Sequence, residues 1–415
     1  MFGSSRRGQR GFIGGMPLAA FALVLAVSAT MREVSPATLL WAAPALLLSA
    51  LIIAWGAESA QFFIAQGFAL AILAWMQTLP EFAVEAVLAL HQQVPFLFAN
   101  LTGALRMLTG FGWPMIYFAA ATVHRKRTGK PLGSITLAGN HAVEVIGLMA
   151  PLLYVSFVLW KGSLQVYDGV VLILIYVVYL VILGKMPPEE EEGIEDLEAI
   201  PRAIVRSPKP KRITLILLCF LCGGALIYFT AEPFLASLMA VSVMLGVPSF
   251  VFIQWVAPFV SEFPEMASTF YWARTVTRAP MALMNMVSSN INQWTLLTAM
   301  LPILYSFSRG SVSALVFDER QKLEILMTIA QALLGMLFLV NMELAWWEAT
   351  VLFVLWLVQF AFSAFVPDTG AGHSIHWYIT MIYFAVAAWE LVRLLTGRRK
   401  PAAFTEFGRV WREHL

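Results

Sequence analysis

Long apolar segments recur along this chain and limit what it can fold into. They run for about 18–25 residues, the length at which a helix crosses the hydrocarbon core of a bilayer. Only 13% of the 415 residues are charged and 60% are hydrophobic, whereas soluble proteins have about 25% charged residues. A membrane β-barrel would instead show short alternating segments. The pattern predicts an all-α polytopic membrane protein.

The predicted spans form two sets of five, separated by one charged linker. Spans 1–5 are expected near residues 36–59, 61–90, 95–123, 134–160 and 168–183. Spans 6–10 are expected near residues 213–244, 248–273, 280–307, 323–340 and 346–365, with a possible break at Pro233. The linker is acidic and then basic, which is typical of a solvated connection between two halves.

Two further apolar segments flank these ten spans. One lies near residues 12–30 and is either a retained accessory span or a signal peptide. The other lies near residues 375–395 and precedes a basic tail. The predicted domains are 1–32, 33–185, 186–212, 213–365 and 366–415.

The distribution of lysine and arginine predicts an orientation. With the N-terminus in the cytoplasm, the basic loops after spans 3, 5 and 7 and the basic C-terminal tail are all cytoplasmic. Spans 2 and 7 then cross the membrane in opposite directions. We expect both termini in the cytoplasm and the chain in the plasma membrane of a prokaryote. The net charge of +2 gives no reason to expect a nucleic-acid partner, because the basic residues lie in loops.

Spans 2 and 7 each contain a Pro-Glu pair, at Pro80-Glu81 and Pro264-Glu265. An asparagine follows each glutamate at nearly the same distance, as Asn100 and Asn285. A charged residue at the centre of a membrane helix costs roughly 2.5–3.5 kcal/mol, so such residues usually face a cavity or a partner. A matched pair of proline-interrupted segments in inverted halves is a sequence indication of a transporter's binding site at the membrane midplane.

The chemistry of these segments suits a cation. Proline within a helix frees the carbonyl four residues earlier, which would be that of Met76 or Val260 here. Carboxylate, carbonyl, hydroxyl and amide oxygens are the ligands of hard cations, and calcium takes about 6–8 of them. A single Pro-Glu pair is equally compatible with a helix kink, but two pairs at matched spacing favour a binding site.

These motifs resemble those of the sodium/calcium exchanger family of cation/calcium antiporters. That family has two inverted repeats, each with a Pro-Glu pair followed by a Gly-Asn segment that ends in Ser-Asn. The resemblance covers about residues 33–365 and implies two inverted five-helix halves, a ten-helix core, with accessory helices at the N- and C-terminal ends. It further implies alternating-access exchange of calcium for sodium or protons.

By the same resemblance, Glu81 and Glu265 would be the central carboxylates. The other implied ligands are Thr78, Asn100, Ser261, Glu262, Asn285, Ser289 and Asn290, with the carbonyls of Met76 and Val260. The resemblance implies a transporter and no enzyme, with inorganic cations and the lipid bilayer as partners and no cofactor beyond the transported ions. Oligomeric state stays open.

The first repeat departs further from the family pattern than the second. In span 8 one helical face carries Asn285, Ser288, Ser289 and Asn292. The matching positions in span 3 are Asn100, Gly103, Ala104 and Met107. The acid often found after the last asparagine of the second repeat is here Gln293. We therefore expect the first repeat to have lost one or more ion sites.

Other buried ionisable residues allow more than one interpretation. Glu85 is predicted to pair with Arg106. Arg106 lies about 240° around the helix from Asn100, and if it points inward it would act as a fixed cation. His141 and Glu144 are expected to form a hydrogen bond between helices, with a proton relay as the alternative.

The alternatives to a calcium exchanger are a proton-coupled antiporter of another cation and a transport-inactive scaffold. An intramembrane enzyme is not supported, since no nucleophile motif or zinc-ligand set is present. Cys219 and Cys222 are interpreted as small buried hydrophobic residues.

Overall fold

The computed structural model of the protein describes residues 34–63, 78–186, 194, 197–365 and 371–414. The predicted N-terminal accessory segment, Met76 and part of the charged linker lie outside these residues. The helices before the linker are α1 (Leu39–Ala60), α2 (Leu79–Leu90), α3 (Val94–Met107), α4 (Trp113–Thr128), α5 (Ala142–Gly147), α6 (Met149–Lys161) and α7 (Val166–Leu183).

The remaining helices begin inside the linker and continue to the C-terminal end. They are α8 (Ala199–Val205), α9 (Lys209–Leu245), α10 (Ser249–Ser261), α11 (Phe263–Ala273), α12 (Ala279–Asn292), α13 (Thr298–Arg309), α14 (Glu319–Leu339), α15 (Trp346–Phe365), α16 (Ala371–Leu395) and α17 (Ala402–His414). Among the described residues, seven segments are long and apolar enough to cross a membrane. The prediction of an all-α multi-pass membrane fold is confirmed.

Two expectations for the region around the linker are wrong. The helix α9 runs through Pro233 without a break, because membrane helices tolerate proline where neighbouring groups satisfy the freed carbonyl. The second part of the linker folds into α8, which packs against α1. Ile204 and Val205 of α8 are buried, so apolar contacts hold this part of the linker against the first half.

Two short antiparallel strand pairs establish that the halves are inverted. The strand β1 (Ser134–Thr136) pairs with β4 (Glu343–Ala345), and β2 (Ser163–Leu164) pairs with β3 (Leu315–Val316). Span 4 runs between β1 and β2, so the two pairs lie at opposite ends of the helices. Counterpart strands β1 and β3, which precede spans 4 and 9, therefore lie at opposite ends as well.

Spans 3 and 8 share an irregularity at matching positions. Each contains one π-helical segment, Leu108–Gly112 between α3 and α4 and Gln293–Leu297 between α12 and α13. These segments begin at the same distance after Asn100 and Asn285. Such π-bulges are frequent at functional sites, and here they occupy matching positions in the two halves.

Span 3 makes a close helix contact with the first part of span 7. A Cβ atom added at Gly103 would lie 1.9 Å from the carbonyl oxygen of Gln254. Only glycine fits at this crossing, because any side chain would overlap the backbone of α10. Gly103, the counterpart of Ser288 in span 8, thus has a packing role.

Candidate cation site

The helices α2 and α11 both begin at the Pro-Glu pairs. In each helix proline occupies the second position and glutamate the third. Proline is tolerated there because the first amide groups of a helix have no partner within it, and a carboxylate in the first turn is favoured by the helix dipole. Pro80 and Pro264 therefore lie in the first turn of a helix rather than within one, which differs from the kink that the sequence suggested.

Three carboxyl groups meet at these helix starts. Glu81, Glu262 and Glu265 are each at most 1% exposed. Glu262 lies beside both Glu81 and Glu265. Because a carboxylate has no donor, a hydrogen bond between two carboxyl groups requires a proton on one of them. Carboxyl groups this close can share a proton or bind a cation.

Gln293 bridges two of the three carboxyl groups. Its Nε2 atom donates to Glu81 Oε2 at 2.6 Å and to Glu262 Oε1 at 2.7 Å. The amide thus connects span 8 to the acids of spans 2 and 7. In the sequence, Gln293 stands out only as a departure from the family pattern, and nothing local in the chain indicates that its amide lies between two acids.

Several buried oxygens around these carboxyl groups accept no N–H or O–H hydrogen bond from any residue that the structure describes. They are Glu81 Oε1, Glu262 Oε2, Glu265 Oε2, Ser289 Oγ, Asn292 Oδ1 and Gln293 Oε1. Burying polar groups without partners is unfavourable, and these are the oxygen types that hard cations bind. The arrangement can accept a cation once the bridging amide rotates or moves.

The asparagines of the two repeats contact different acids. Asn285 Nδ2 donates to Glu265 Oε1 at 3.4 Å, whereas Asn100 Nδ2 donates to Glu85 Oε1 at 3.0 Å. Asn100 is therefore bonded one helical turn beyond Glu81. The two repeats are unequal at the site itself, and the second repeat contributes more of its polar groups.

The other predicted ligands surround the carboxyl groups at varying distance. Thr78 Oγ1 accepts from Asn292 Nδ2 at 2.6 Å, at the start of α2. Ser289 lies beside Glu265. Asn290 contacts Thr109, whose hydroxyl donates to Asn290 Oδ1 at 3.3 Å. The structure thus brings Thr78 and Ser289 to the cluster and turns Asn290 toward span 3.

Ser261 and Val260 lie in the last turn of α10, immediately before Glu262. The Ser261 hydroxyl donates to the carbonyl of Ala257 at 3.2 Å. Both residues are next to the break in span 7, and their roles as ligands stay predictions. Met76 lies outside the described residues.

The predicted pairing of Glu85 with Arg106 is wrong. Arg106 forms an ion pair with Glu324, with 2.6 Å between Nη1 and Oε2. Span 3 directs the two sides of its helix to different neighbours, so Asn100 reaches Glu85 while Arg106 reaches α14. The ion pair of Arg106 is a second buried charged cluster.

His141 and Glu144 lie close together at the start of span 4. Both are buried, with 3.7 Å between His141 Nδ1 and Glu144 Oε1. The two residues are on adjacent turns of one span, so their contact with each other is local. A hydrogen bond from either residue to another helix stays a prediction.

Within the described ranges, no three His, Cys, Asp or Glu side chains converge closely enough to hold a metal ion together. The Glu81–Glu262 pair is instead bridged by the Gln293 amide. A cation entering between them would have to replace this amide hydrogen bonding. The site is therefore closed in the state that the structure represents.

These features define a class of protein. It is a multi-pass membrane protein with inverted halves and with buried carboxylates at the starts of helices. The sequence model of the family described as "Sodium/calcium exchanger protein" matches residues 34–185 and 215–365. No match was found among curated protein sequences. The chain belongs to the sodium/calcium exchanger family, whose members are transporters.

Solved structures show the same fold. The H⁺/Ca²⁺ exchanger CAX is 27% identical, with a TM-score of 0.85 over 96% of this chain and 98% of that one. YfkE is 12% identical, with a TM-score of 0.59 over 84% and 98%. The sodium-calcium exchanger NCX_Mj is 19% identical, with a TM-score of 0.51 over 78% and 97%.

Proposed function

We propose that the chain is a secondary antiporter that exchanges calcium for protons at the cluster of Glu81, Glu262 and Glu265. The observation that carries the proposal is the proximity of these three buried carboxyl groups, because carboxyl groups this close ionise together only when a cation compensates their charge. A divalent cation placed between carboxyl groups favours their ionised form. Calcium and protons would therefore compete for the same oxygens, which is the coupling that an antiporter needs.

Protons are favoured over sodium as the coupling ion by the composition of the first repeat. A sodium ion needs its own set of oxygen ligands, and span 3 offers Gly103, Ala104 and Met107 where span 8 carries Ser288, Ser289 and Asn292. A proton needs only one carboxyl oxygen. The higher similarity to the H⁺/Ca²⁺ exchanger CAX than to NCX_Mj agrees with this choice.

The exchange step follows from the closed cluster. Calcium entry would deprotonate the Glu81–Glu262 pair and turn the Gln293 side chain so that its carbonyl oxygen, rather than its amide nitrogen, faces the ion. The oxygens that accept no hydrogen bond would complete the ligand set. The break at Glu262 lets the two parts of span 7 move without disrupting a continuous helix. The proposed setting is a plasma membrane of a prokaryote with both termini in the cytoplasm.

The test is calcium uptake by proteoliposomes that contain the purified protein. Vesicles with an acidic lumen and no sodium should accumulate calcium, and a protonophore should abolish the accumulation. Vesicles that have only a sodium gradient should not take up calcium. Uptake driven by sodium and unaffected by pH would overturn proton coupling.

Two further outcomes distinguish the alternatives. Uptake of another divalent cation under the pH gradient, without calcium uptake, would indicate a proton-coupled antiporter of that cation. The absence of flux for every tested ion, from protein that binds calcium neither in detergent nor in vesicles, would indicate a scaffold.

A further inference from the structure

Arg106 lies in a buried polar pocket that is separate from the three site carboxyl groups. Its side chain is fully enclosed, with an exposed fraction of 0%. Burying a charged group is unfavourable unless it is paired and hydrogen-bonded, and such residues in membrane spans are functional candidates. The Arg106 guanidinium is therefore a functional candidate outside the carboxyl cluster.

Oxygen atoms from three helices surround the guanidinium. Nη1 pairs with Glu324 at 2.6 Å, and Nε donates to the Thr102 carbonyl at 3.0 Å. The Gln359 amide, with its oxygen toward the arginine, accepts from Nη1 at 2.7 Å and from Nε at 3.2 Å. The Trp255 ring lies 5.4 Å from the guanidinium carbon, within the range of a cation–π contact.

The surrounding residues orient the carboxylate toward the arginine. Gln254 Nε2 donates to Glu324 Oε2 at 2.9 Å. His376 of the last span approaches the other carboxylate oxygen, with 3.6 Å between Nδ1 and Oε1. The Thr102 hydroxyl also accepts from Arg106 Nη2, at 3.4 Å. A carboxylate, an amide oxygen, a carbonyl, a hydroxyl and an aromatic face together form a receptor for a planar cation.

The pocket exists in only one of the two halves. The distance along the chain from Glu144 to Glu324 equals that from Asp168 to Glu348, the acids at the starts of α7 and α15. Glu144 and Glu324 are therefore counterparts in the two halves. The position in span 8 that matches Arg106 is Ile291. Glu144 therefore has no arginine from the matching helix, and the charged pocket is a specific addition to the second half rather than a requirement of the fold.

We infer that this pocket is a cation-binding site whose occupant is the guanidinium of Arg106 itself, held by the Glu324 carboxylate. Removing the side chain while keeping Glu324 should leave a vacant site for a free planar monovalent cation, of which guanidinium is the matching probe. In the wild-type protein the tethered cation keeps Glu324 compensated, and the pocket takes no ion from solution. The inference is independent of the transport proposal.

The experiment measures the thermal unfolding midpoint of the purified full-length R106A variant in detergent. The probes are guanidinium and urea at the same low millimolar concentration, since urea is planar and of similar size but neutral. Guanidinium should raise the midpoint of R106A by several degrees, while urea should leave it unchanged. Neither probe should shift the midpoint of the wild-type protein.

One companion variant keeps the result decisive. R106A/E324Q, which lacks both charges, should fold and show no guanidinium effect, because the carboxylate that holds the cation is gone. If R106A is recovered folded only when it is extracted in guanidinium, that rescue also supports the site. Equal shifts by urea and guanidinium would overturn the inference. So would an R106A protein that guanidinium neither stabilises nor rescues while R106A/E324Q folds.

Discussion

The two inverted halves share a backbone plan but carry different side chains on it. Spans 3 and 8 have π-helical segments at matching positions, and the strand pairs occur once at each end. Asp168 accepts a hydrogen bond from the Gln165 amide at 2.7 Å, and its counterpart Glu348 accepts one from the Ala345 amide at 2.8 Å. These shared features are all backbone geometry or helix caps.

The differences concern the residues that could bind ions. Span 8 contributes amides and hydroxyls to the carboxyl cluster, whereas span 3 contributes the Gly103 packing contact and the Arg106 ion pair. Backbone geometry is constrained by helix packing in both halves, but ion ligands need to be present only once around a shared site. One repeat can therefore lose ligands while the fold is retained.

The largest expected effect tests what the halves still have in common. E81Q and E265Q should each lower pH-driven calcium uptake by about 100-fold or more, since removing one partner of a buried charged interaction costs about 3–5 kcal/mol. The measurement is initial calcium uptake into acid-loaded proteoliposomes. The control is E319Q, because Glu319 is an exposed acid and its loss should leave uptake unchanged. Uptake that survives both site variants would rule out a shared site.

The close packing contact at Gly103 should make span 3 more sensitive to substitution than the matching position in span 8, as measured by protein stability. G103A should destabilise the protein by about 3 kcal/mol or prevent its recovery, since overpacking at a close contact costs about 1–3 kcal/mol or more. Ser288, the counterpart in span 8, bonds to Tyr179 at 3.0 Å, and S288A should cost only about 1 kcal/mol. Thermal unfolding of the detergent-purified variants checks both values. A G103A protein as stable as S288A would contradict the close approach.

The two asparagines should differ in their effect on calcium affinity. N285A should raise the half-saturating calcium concentration about 10-fold, the equivalent of about 1.4 kcal/mol, because Asn285 contacts Glu265. N100A should raise it only about 2-fold, since a contact with Glu85 leads to a smaller loss at the site. Calcium dependence of uptake measures both variants. Equal effects would mean that both repeats contribute alike to calcium binding, and that the different contacts of the two asparagines do not affect function.

The smallest expected effect concerns a single hydroxyl. S289A should weaken calcium affinity about 3-fold, as expected for one neutral oxygen ligand among several. The matching change in the first repeat, A104S, introduces the hydroxyl that span 3 lacks and should leave the affinity within about 2-fold. Calcium titration of uptake distinguishes them. A gain of affinity in A104S would show that the first repeat still faces the ion.

Much of the architecture could be predicted from the sequence, because lipid imposes it. Apolar segments of membrane-spanning length identify the spans, and the paired Pro-Glu motifs in spans 2 and 7 place two acids at the centre. Loop charge predicted opposite directions for these spans. The break at Pro233 was predicted wrongly, since proline shows that a helix hydrogen bond is missing but not whether neighbouring groups compensate for it.

The inverted helical fold, the family and the two Pro-Glu acids could all be predicted without the structure, because hydrophobic length and local helix-start signals are encoded in neighbouring residues. Only the tertiary structure decided which polar groups meet. The Gln293 amide between Glu81 and Glu262, and the pairing of Arg106 with Glu324 instead of Glu85, join residues far apart in the chain. Which side of a buried helix faces which neighbour depends on how the helices pack, and that information is absent from the spacing within any one span.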